Sequence, residues 1–468
     1  MSVTSALTVS MSGIRAASTM LELTASNISN AQTEGYTTKS VVTSSALLGN
    51  IGGGTNVTGF ERAENNSLYV TLAKATANNG LRSAQDDYLS QVQDIFGTSN
   101  SDNPTLNQAL SSFVSSWTNL AATPESLVTT RQVVQDAQVL VDEIVRISSE
   151  VEDLDRQCFA EVNSTLKDLN SYLEQIKDLN VKIAQAYNSG LSSGDLRDQR
   201  DVLVLRVAEI TGVTILQRGF GQIALYSATG YQLVDGGAYR EFVYDGTDVT
   251  SAANTALSLN EALGGGSLQA LVDFRSTTAP VSTSPGVSVI QKLRSQLDGI
   301  ADAFLSTTTT ATSGEVTFAT AYNSATTGAG QLASGFFTGT DRTDIAVNAA
   351  LLNGTSSVKS GAAQAVTDAL LDATRSFSAD GLTISNSSYM SLFTSSITSF
   401  QQAANNIATL ADTAANAHDY LKEKYTNETG VNVDNELINL TTFQNAYAAS
   451  AHAMSVVKEM FHTLENLL

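Results

Sequence analysis

The stretch from Val433 to Leu468 limits the possible folds more than any other, because one column of side chains recurs at every seventh position. Its members are Val433, Leu440, Tyr447, Met454, Phe461 and Leu468. Phe443, Val457 and Leu464 stand three residues beyond members of the column, and Ala446, Ala453, Met460 and Leu467 one residue before, so a broad apolar face runs down a single helix. Asn432 suits an N-cap, and Asp434 and Glu436 put negative charge in the first turn, where the helix dipole favours it. A strict repeat of seven is slightly shorter than two turns of a straight helix. The stripe therefore stays on one side only if the helix supercoils left-handedly around a partner.

Residues 4 to 30 repeat the pattern in miniature. Leu7, Ile14, Leu21 and Ile28 fall every seven residues, with Met11 and Ala25 on the flank. About five large apolar side chains, at roughly 1.5–3 kcal/mol each, face an ordering cost of about 1.5 kcal/mol per residue, so this helix needs another surface to fold on. Two readings stand: a helix packed on the protein's own core, or one strand of a coiled coil completed by other molecules.

Composition removes several classes of function. A net charge of −21 repels phosphate backbones and anionic lipid, so neither a nucleic acid nor a membrane surface is an expected partner. No apolar run reaches the roughly 18 residues of a spanning helix. The first residues lack a basic region and Arg15 interrupts their apolar run, so export without a cleaved signal is expected. The single cysteine, Cys158, forbids a disulfide within the chain and reads as a small buried hydrophobe. His418, His452 and His462 fit no common catalytic or metal pattern, and no HExxH, phosphate loop, dinucleotide fingerprint or nucleophile elbow occurs. The expectation is no enzyme, no metal and no cofactor. Four prolines in 468 residues favour long unbroken helices, which suit a mechanical part.

In chain order, residues 31 to 59 are rich in Thr, Ser, Gly and Asn and read as a loop or extended connector. Residues 66 to 96 and 104 to 121 read as helices, the second starting at Asn103-Pro104. A third helix runs from Glu125 to Tyr187 on the stripe Leu140, Ile144, Ile147, Val151, Leu154, Cys158, Val162, Leu169, Leu173, Ile176 and Ile183. Asp195 opens a short helix ending at Gly212. Val213 to Leu216, Gln222 to Tyr226, Tyr231 to Val234 and Glu241 to Tyr244 are short β-type runs punctuated by glycine turns. Helix returns from Val287 to Leu305, a low-complexity loop spans Ser306 to Ser313, and helices resume near Val358 and from Met390 to Tyr425.

Two motifs add a family resemblance. Ser12 to Ala17 and Asn27 to Tyr36 resemble the N-terminal signature of bacterial flagellar rod, hook and hook-associated proteins, with Glu34 where proline is frequent in relatives. Asn432 to Asp434, Glu436, Asn439-Leu440, Phe443-Gln444 and Ala446-Tyr447 resemble the C-terminal signature of the same axial family. Asp195-Leu196-Arg197-Asp198-Gln199-Arg200-Asp201 and Gly265 to Arg275 are similar to motifs of its hook-associated branch, and set the chain apart from hook protein and flagellin.

The resemblance implies a structural part that joins hook to filament outside the cell. The expected fold is mainly α with inserted β: a discontinuous coiled-coil inner domain (1–48 with 428–468), a discontinuous helical bundle (49–211 with 268–427) and a small β-rich outer domain (212–267). Expected subunit-interface residues are Leu7, Met11, Ile14, Leu21, Ile28, Val433, Leu440, Phe443, Tyr447, Met454, Val457, Phe461, Leu464 and Leu468. Expected partners are copies of the chain, the flagellar hook protein, a second hook-filament junction protein and a cytoplasmic export chaperone holding the C-terminal helix. The alternatives are the hook protein itself, or a secreted enzyme or adhesin anchored by such terminal helices.

Overall fold

The computed structural model describes residues 3–48, 51–97, 104–277, 288–306 and 316–465. Its first elements are α1 (Val3–Ser29), the strands β1 (Lys39–Leu48) and β2 (Ile51–Arg62), α2 (Asn66–Ile95), α3 (Leu106–Ala122), α4 (Leu127–Asn188) and α5 (Gly194–Ile210). Short strands follow: β3 (Val213–Gln217), β4 (Ile223–Ser227), β5 (Gln232–Asp235), β6 (Ala238–Tyr239), β7 (Phe242–Tyr244), β8 (Val249–Ser251) and β9 (Asn254–Ser258). The remainder is α6 (Gly266–Arg275), α7 (Val289–Leu305), α8 (Phe318–Ser324), β10 (Phe337–Thr338), β11 (Ala346–Val347), α9 (Ala349–Leu352), α10 (Ala363–Leu371), β12 (Arg375–Ala379), β13 (Leu382–Ser387), α11 (Tyr389–Thr429) and α12 (Val433–Glu465).

The 62-residue helix α4 is the spine. Its start is set by Ser126, whose side chain accepts from the Thr129 amide, just as Thr105 and Gln108 form a capping box at α3. Every residue of the apolar stripe read from Leu140 to Ile183 is buried, Cys158 among them. One contiguous core runs along this stripe and collects α2, α3, α5, α6, α7 and α11. The helices α2 and α11 lie alongside each other, with Tyr69 against Tyr425 (ring centroids 5.7 Å) and Phe96 stacked on Phe400 (5.9 Å).

The small sheets, β3-β4-β5-β6 and β7-β8-β9, are antiparallel and lie against the far half of the spine. Ile223, Leu225, Val234, Phe242 and Val249 belong to the same core as the helices. Two asparagines of α4 hold them there. Asn170 donates to the Phe242 carbonyl (2.8 Å) and accepts from its amide (2.9 Å); Asn180 does the same at Ile223 (2.9 and 3.2 Å). Each amide, that of Asn180 fully buried and that of Asn170 half-buried, so satisfies a strand's backbone pair as another strand would.

Two sequence readings are corrected. Residues 31 to 59 are no mere connector: β1 and β2 form a long hairpin from the pair Lys39 with Arg62 to Leu48 with Ile51. The glycines that resembled a breaker lie within β2. At Gly54, where φ is +105°, a Cβ would stand 2.0 Å from the Ser12 hydroxyl, so glycine is what lets the strand press on α1. Beyond Leu305 the chain holds more structure than expected. Of the low-complexity loop read from Ser306 to Ser313, all but Ser306 lies outside the described residues, but α8, β10, β11 and the β12-β13 hairpin follow. Phe318, Tyr322, Phe336 and Phe337 meet Phe113 and Trp117 of α3 and Phe304 of α7 at ring separations of 4.9–6.3 Å. Tilted and edge-on rings dominate, as the aromatic quadrupole favours.

Finally, α1 and α12 run antiparallel as a pair. Gly13 faces Ser450, while Thr38, beyond the end of α1, bonds to Thr429 and Gly430 just before α12. Phe113 lies wholly inside the aromatic cluster. Phe113→Ala should therefore cost about 3–5 kcal/mol in urea denaturation. Val128→Ala, at an exposed position, should stay within about 0.5 kcal/mol of the parent.

Candidate functional site

Two features offer themselves: the face of the α1-α12 pair and the polar cluster at its base. On α1, the row that carries Gly13 also carries Ser10, Ala17 and Thr24, all buried, so the helices approach through small side chains. Leu7, Ile14, Leu21 and Ile28 flank that row half-buried, and Met11 is exposed. On α12, Val457 is buried, and Leu440, Phe443 and Met454 are half-buried. Val433, Tyr447 and Phe461 stand exposed, together with Leu437, Ile438, Val456 and Met460, which were not among the expected interface residues. Leu468 lies outside the described residues, as does the side chain of Leu464. A single helix covers only part of a broad stripe, and much of its apolar surface remains open.

The polar cluster gathers the N-terminal motif and the Asp195 to Asp201 motif around one carboxylate. Asp198 of α5 accepts from the Thr37 hydroxyl (2.7 Å), Lys39 Nζ (2.7 Å) and Arg62 Nη1 (3.0 Å). Lys39 also meets Asp195 (3.0 Å) and lies 3.4 Å over the Tyr36 ring. Arg62 reaches Asp201 (2.7 Å) and Glu64 (3.1 Å) with its other nitrogens. Asn27 donates to the Lys39 carbonyl (2.9 Å) and accepts from the Tyr36 hydroxyl (2.9 Å), fixing the turn after α1. In that turn Gly35 has φ +73°, and a Cβ there would stand 2.1 Å from Val202 of α5. Glu34, at the position where relatives often carry proline, pairs with Arg206 at 3.4 Å.

Burial works against both cations, yet Asp198 and Asp195 hold the Lys39 pKa above its ordinary value, and Asp201 and Asp198 do the same for Arg62. The charged run from Asp195 to Asp201 thus takes part in a largely buried clasp between α1, the hairpin and α5.

The second internal motif fastens α6 to the spine. Arg275 binds Asp155 (2.6 Å), the Tyr244 hydroxyl (2.6 Å) and the Gly246 carbonyl (3.0 Å). Arg294 and Arg342 extend the row to Glu152, whose pKa the Arg294 hydrogen bond holds below the usual carboxylate range. Burial pushes the Cys158 thiol up to about 12, and its Sγ lies 3.5 Å from the Leu271 carbonyl. A thiol so protonated and enclosed is no nucleophile. Among the described residues no group of three or more His, Cys, Asp or Glu is placed to hold a metal, and no helix is long and apolar enough to cross a membrane.

Removing the central charge takes from two buried cations the carboxylate they share, leaving Lys39 with the exposed Asp195 and Arg62 with Asp201 and Glu64. Asp198→Asn should cost about 3–5 kcal/mol and open the hairpin to trypsin ahead of the spine. The pH dependence carries a sign. Because folding raises the Lys39 pKa, its contribution is complete below pH 10.5 and fades as the pH climbs through the higher folded value. Urea titrations in alkali should show that decline in the parent and a flatter curve in D198N.

Comparison with known proteins agrees with this architecture. The family model for the helical domain of the flagellar hook-associated protein FlgK matches residues 89–325, just over half of the chain. A flagellar basal body rod protein model matches residues 7–37, and the C-terminal model of the basal body rod FlgEFG proteins matches residues 422–467. Flagellar hook-associated protein 1 of Salmonella typhimurium is 28% identical over 283 residues, covering 57% of this chain and 51% of that protein. The proteins of that name from Escherichia coli K12 (26% over 238 residues; 49% and 43% covered) and Bacillus subtilis 168 (28% over 222; 45% and 43%) are also similar. The chain spans about half the length of these relatives. The flagellar hook junction protein FlgK of Burkholderia pseudomallei aligns with a TM-score of 0.42 at 21% identity, covering 50% of this chain and 42% of that one. With its helical body matched by one model and its paired first and last helices by two others, the chain belongs to the flagellar hook-associated FlgK family.

Proposed function

We propose that this chain is a structural subunit of the bacterial flagellum that polymerises at the hook-filament junction and joins hook to filament. The observation that carries the proposal is the open apolar stripe of α12, borne by a helix pair whose own contact uses small residues. Each large side chain covered by a neighbour contributes roughly 1.5–3 kcal/mol, so a few per subunit offset the entropy of joining an assembly. An exposed stripe that meets a different surface on the next copy builds a ring or helical layer.

On this reading the inner layer is formed by residues 1–48 and 428–468, extended to Arg62 because β2 pairs with β1. The bundle, which then begins at Ala63 and comprises residues 63–211 with 268–427, surrounds it, and residues 212–267 lie outermost. The subunit-facing set is the expected one from Leu7 to Leu468, enlarged by Ile438 and Met460. The partners are copies of the chain, the hook protein on one side and the second junction protein on the other. A cytoplasmic chaperone covers the stripe of α12 before the subunit is exported. The role is mechanical.

The test separates folding from assembly. Ile438 is 64% exposed, so Ile438→Asp should leave the monomer's melting temperature unchanged while abolishing incorporation into hook-filament junctions and motility in complementation. Phe461→Asp should behave alike, and Thr441→Asp should be silent in both assays. Leu440→Asp, half-buried against α1, should lower both stability and assembly. Normal junctions built from the Ile438→Asp protein would overturn the proposal.

A further inference from the structure

Beside the Asp198 clasp, buried positive charge exceeds buried negative charge. Lys39, Arg62 and Arg200 are all buried, against the two enclosed carboxylates Asp198 and Asp201; Asp195 and Glu64 stand at the rim. Asp198 is shared by Lys39 and Arg62, and Asp201 is taken by Arg62 at 2.7 Å. Arg200, only 3% exposed, keeps a 3.5 Å approach of Nη2 to Asp201. Its Nη1 donates to the Gly221 carbonyl (2.8 Å) and lies 3.4 Å from Asn180 Oδ1. Its Nε has no partner among the described residues. Arg197, one turn earlier on α5, has a buried and unpartnered Nε as well, and no carboxylate pairs with it among the described residues.

These guanidiniums converge on a cavity of about 40 Å³ whose charged lining is Arg62, Arg197 and Arg200 against Glu64 and Asp201, both of which Arg62 already engages, so one positive charge is in excess there. The backbone is bare where Arg197 lies: a Cβ at Gly221, where φ is +74°, would stand 2.5 Å from Arg197 Nη2. Burial above all, opposed by Asp201 and aided by the like charges of Arg62 and Arg197, holds the Arg200 pKa below that of an ordinary arginine. The volume exceeds the ~10–15 Å³ that one water needs, yet leaves no room for an organic ligand. The overall charge of −21 does not decide the matter, since exposed charges beyond about 8–10 Å are screened while the arginines act at contact.

We infer that this cavity binds one small inorganic anion of chloride size, which supplies the missing negative charge and ties α5 to the approach to α2 and to the β3-β4 turn. The inference does not depend on the proposed function.

The probe is chloride, titrated into the full chain at constant ionic strength against gluconate, which is too bulky for the cavity. The chlorine quadrupolar NMR line should show saturable excess broadening with the parent and none with Arg197→Met. Above its dissociation constant, each tenfold rise in chloride should lower the unfolding equilibrium constant about tenfold, and this dependence should vanish in R197M. Circular dichroism reports whether the variant folds; if it does not, the parent titration alone decides. Broadening that fails to saturate, or equal unfolding midpoints in chloride and gluconate, would mean that water alone fills the cavity and would overturn the assignment. So would broadening that persists unchanged in folded R197M.

Discussion

Asp198 is the contact on which the arrangement of the molecule depends. Its carboxylate is the common acceptor for Thr37, Lys39 and Arg62, residues of the turn and hairpin that follow α1. A buried carboxylate is costly to desolvate, and the cost is offset only where several donors reach it with good geometry. The direction of α1, the seat of the hairpin and the position of α5 are therefore determined together. An apolar contact in the same place would hold these elements near one another without fixing their angle.

The same logic recurs along α4. The apolar stripe provides most of the burial, but Asn170, Asn180 and Arg275 specify which backbone is received and in what register. Two small sheets, each too small to be stable alone, become extensions of a helix by borrowing its side-chain amides in place of a strand partner.

The helices were legible in the sequence because their signals are local. Capping residues, the stripe of α4 and the heptads of α1 and α12 all lie within a few turns of the structure they dictate, and observed ends differ from expected ones by a few residues. The β1-β2 hairpin was not legible. Its Gly54 serves contact with Ser12, forty-two positions away in sequence, and the glycine run that ends there imitates a flexible linker when read alone. The aromatic cluster was hidden for the same reason, since Phe113, Trp117, Phe304, Phe318 and Phe336 share no period. The heptads named the helix pair but misdirected attention within it. Large side chains drew the eye, whereas the closest contact is the row Ser10, Gly13, Ala17 and Thr24. Nor did the alternating charges of Asp195 to Asp201 betray that they would be enclosed, because their counter-charges come from Lys39 and Arg62.

The helix pair and hairpin connect to the rest of the molecule through two covalent crossings, Ala63 to Asn65 and Gly430 to Asn432. These lie side by side: Asn65 donates to Glu428 at 2.8 Å, and the Ala63 amide donates to Thr38, whose own amide donates to Thr429. Two adjacent strands of backbone form a hinge line. They resist stretching far more than bending, and the ions around Asp198, set off to one side, restrain rotation about that line. A load applied to α1 and α12 would accordingly be carried as tension in the crossings and shear in the ion pairs.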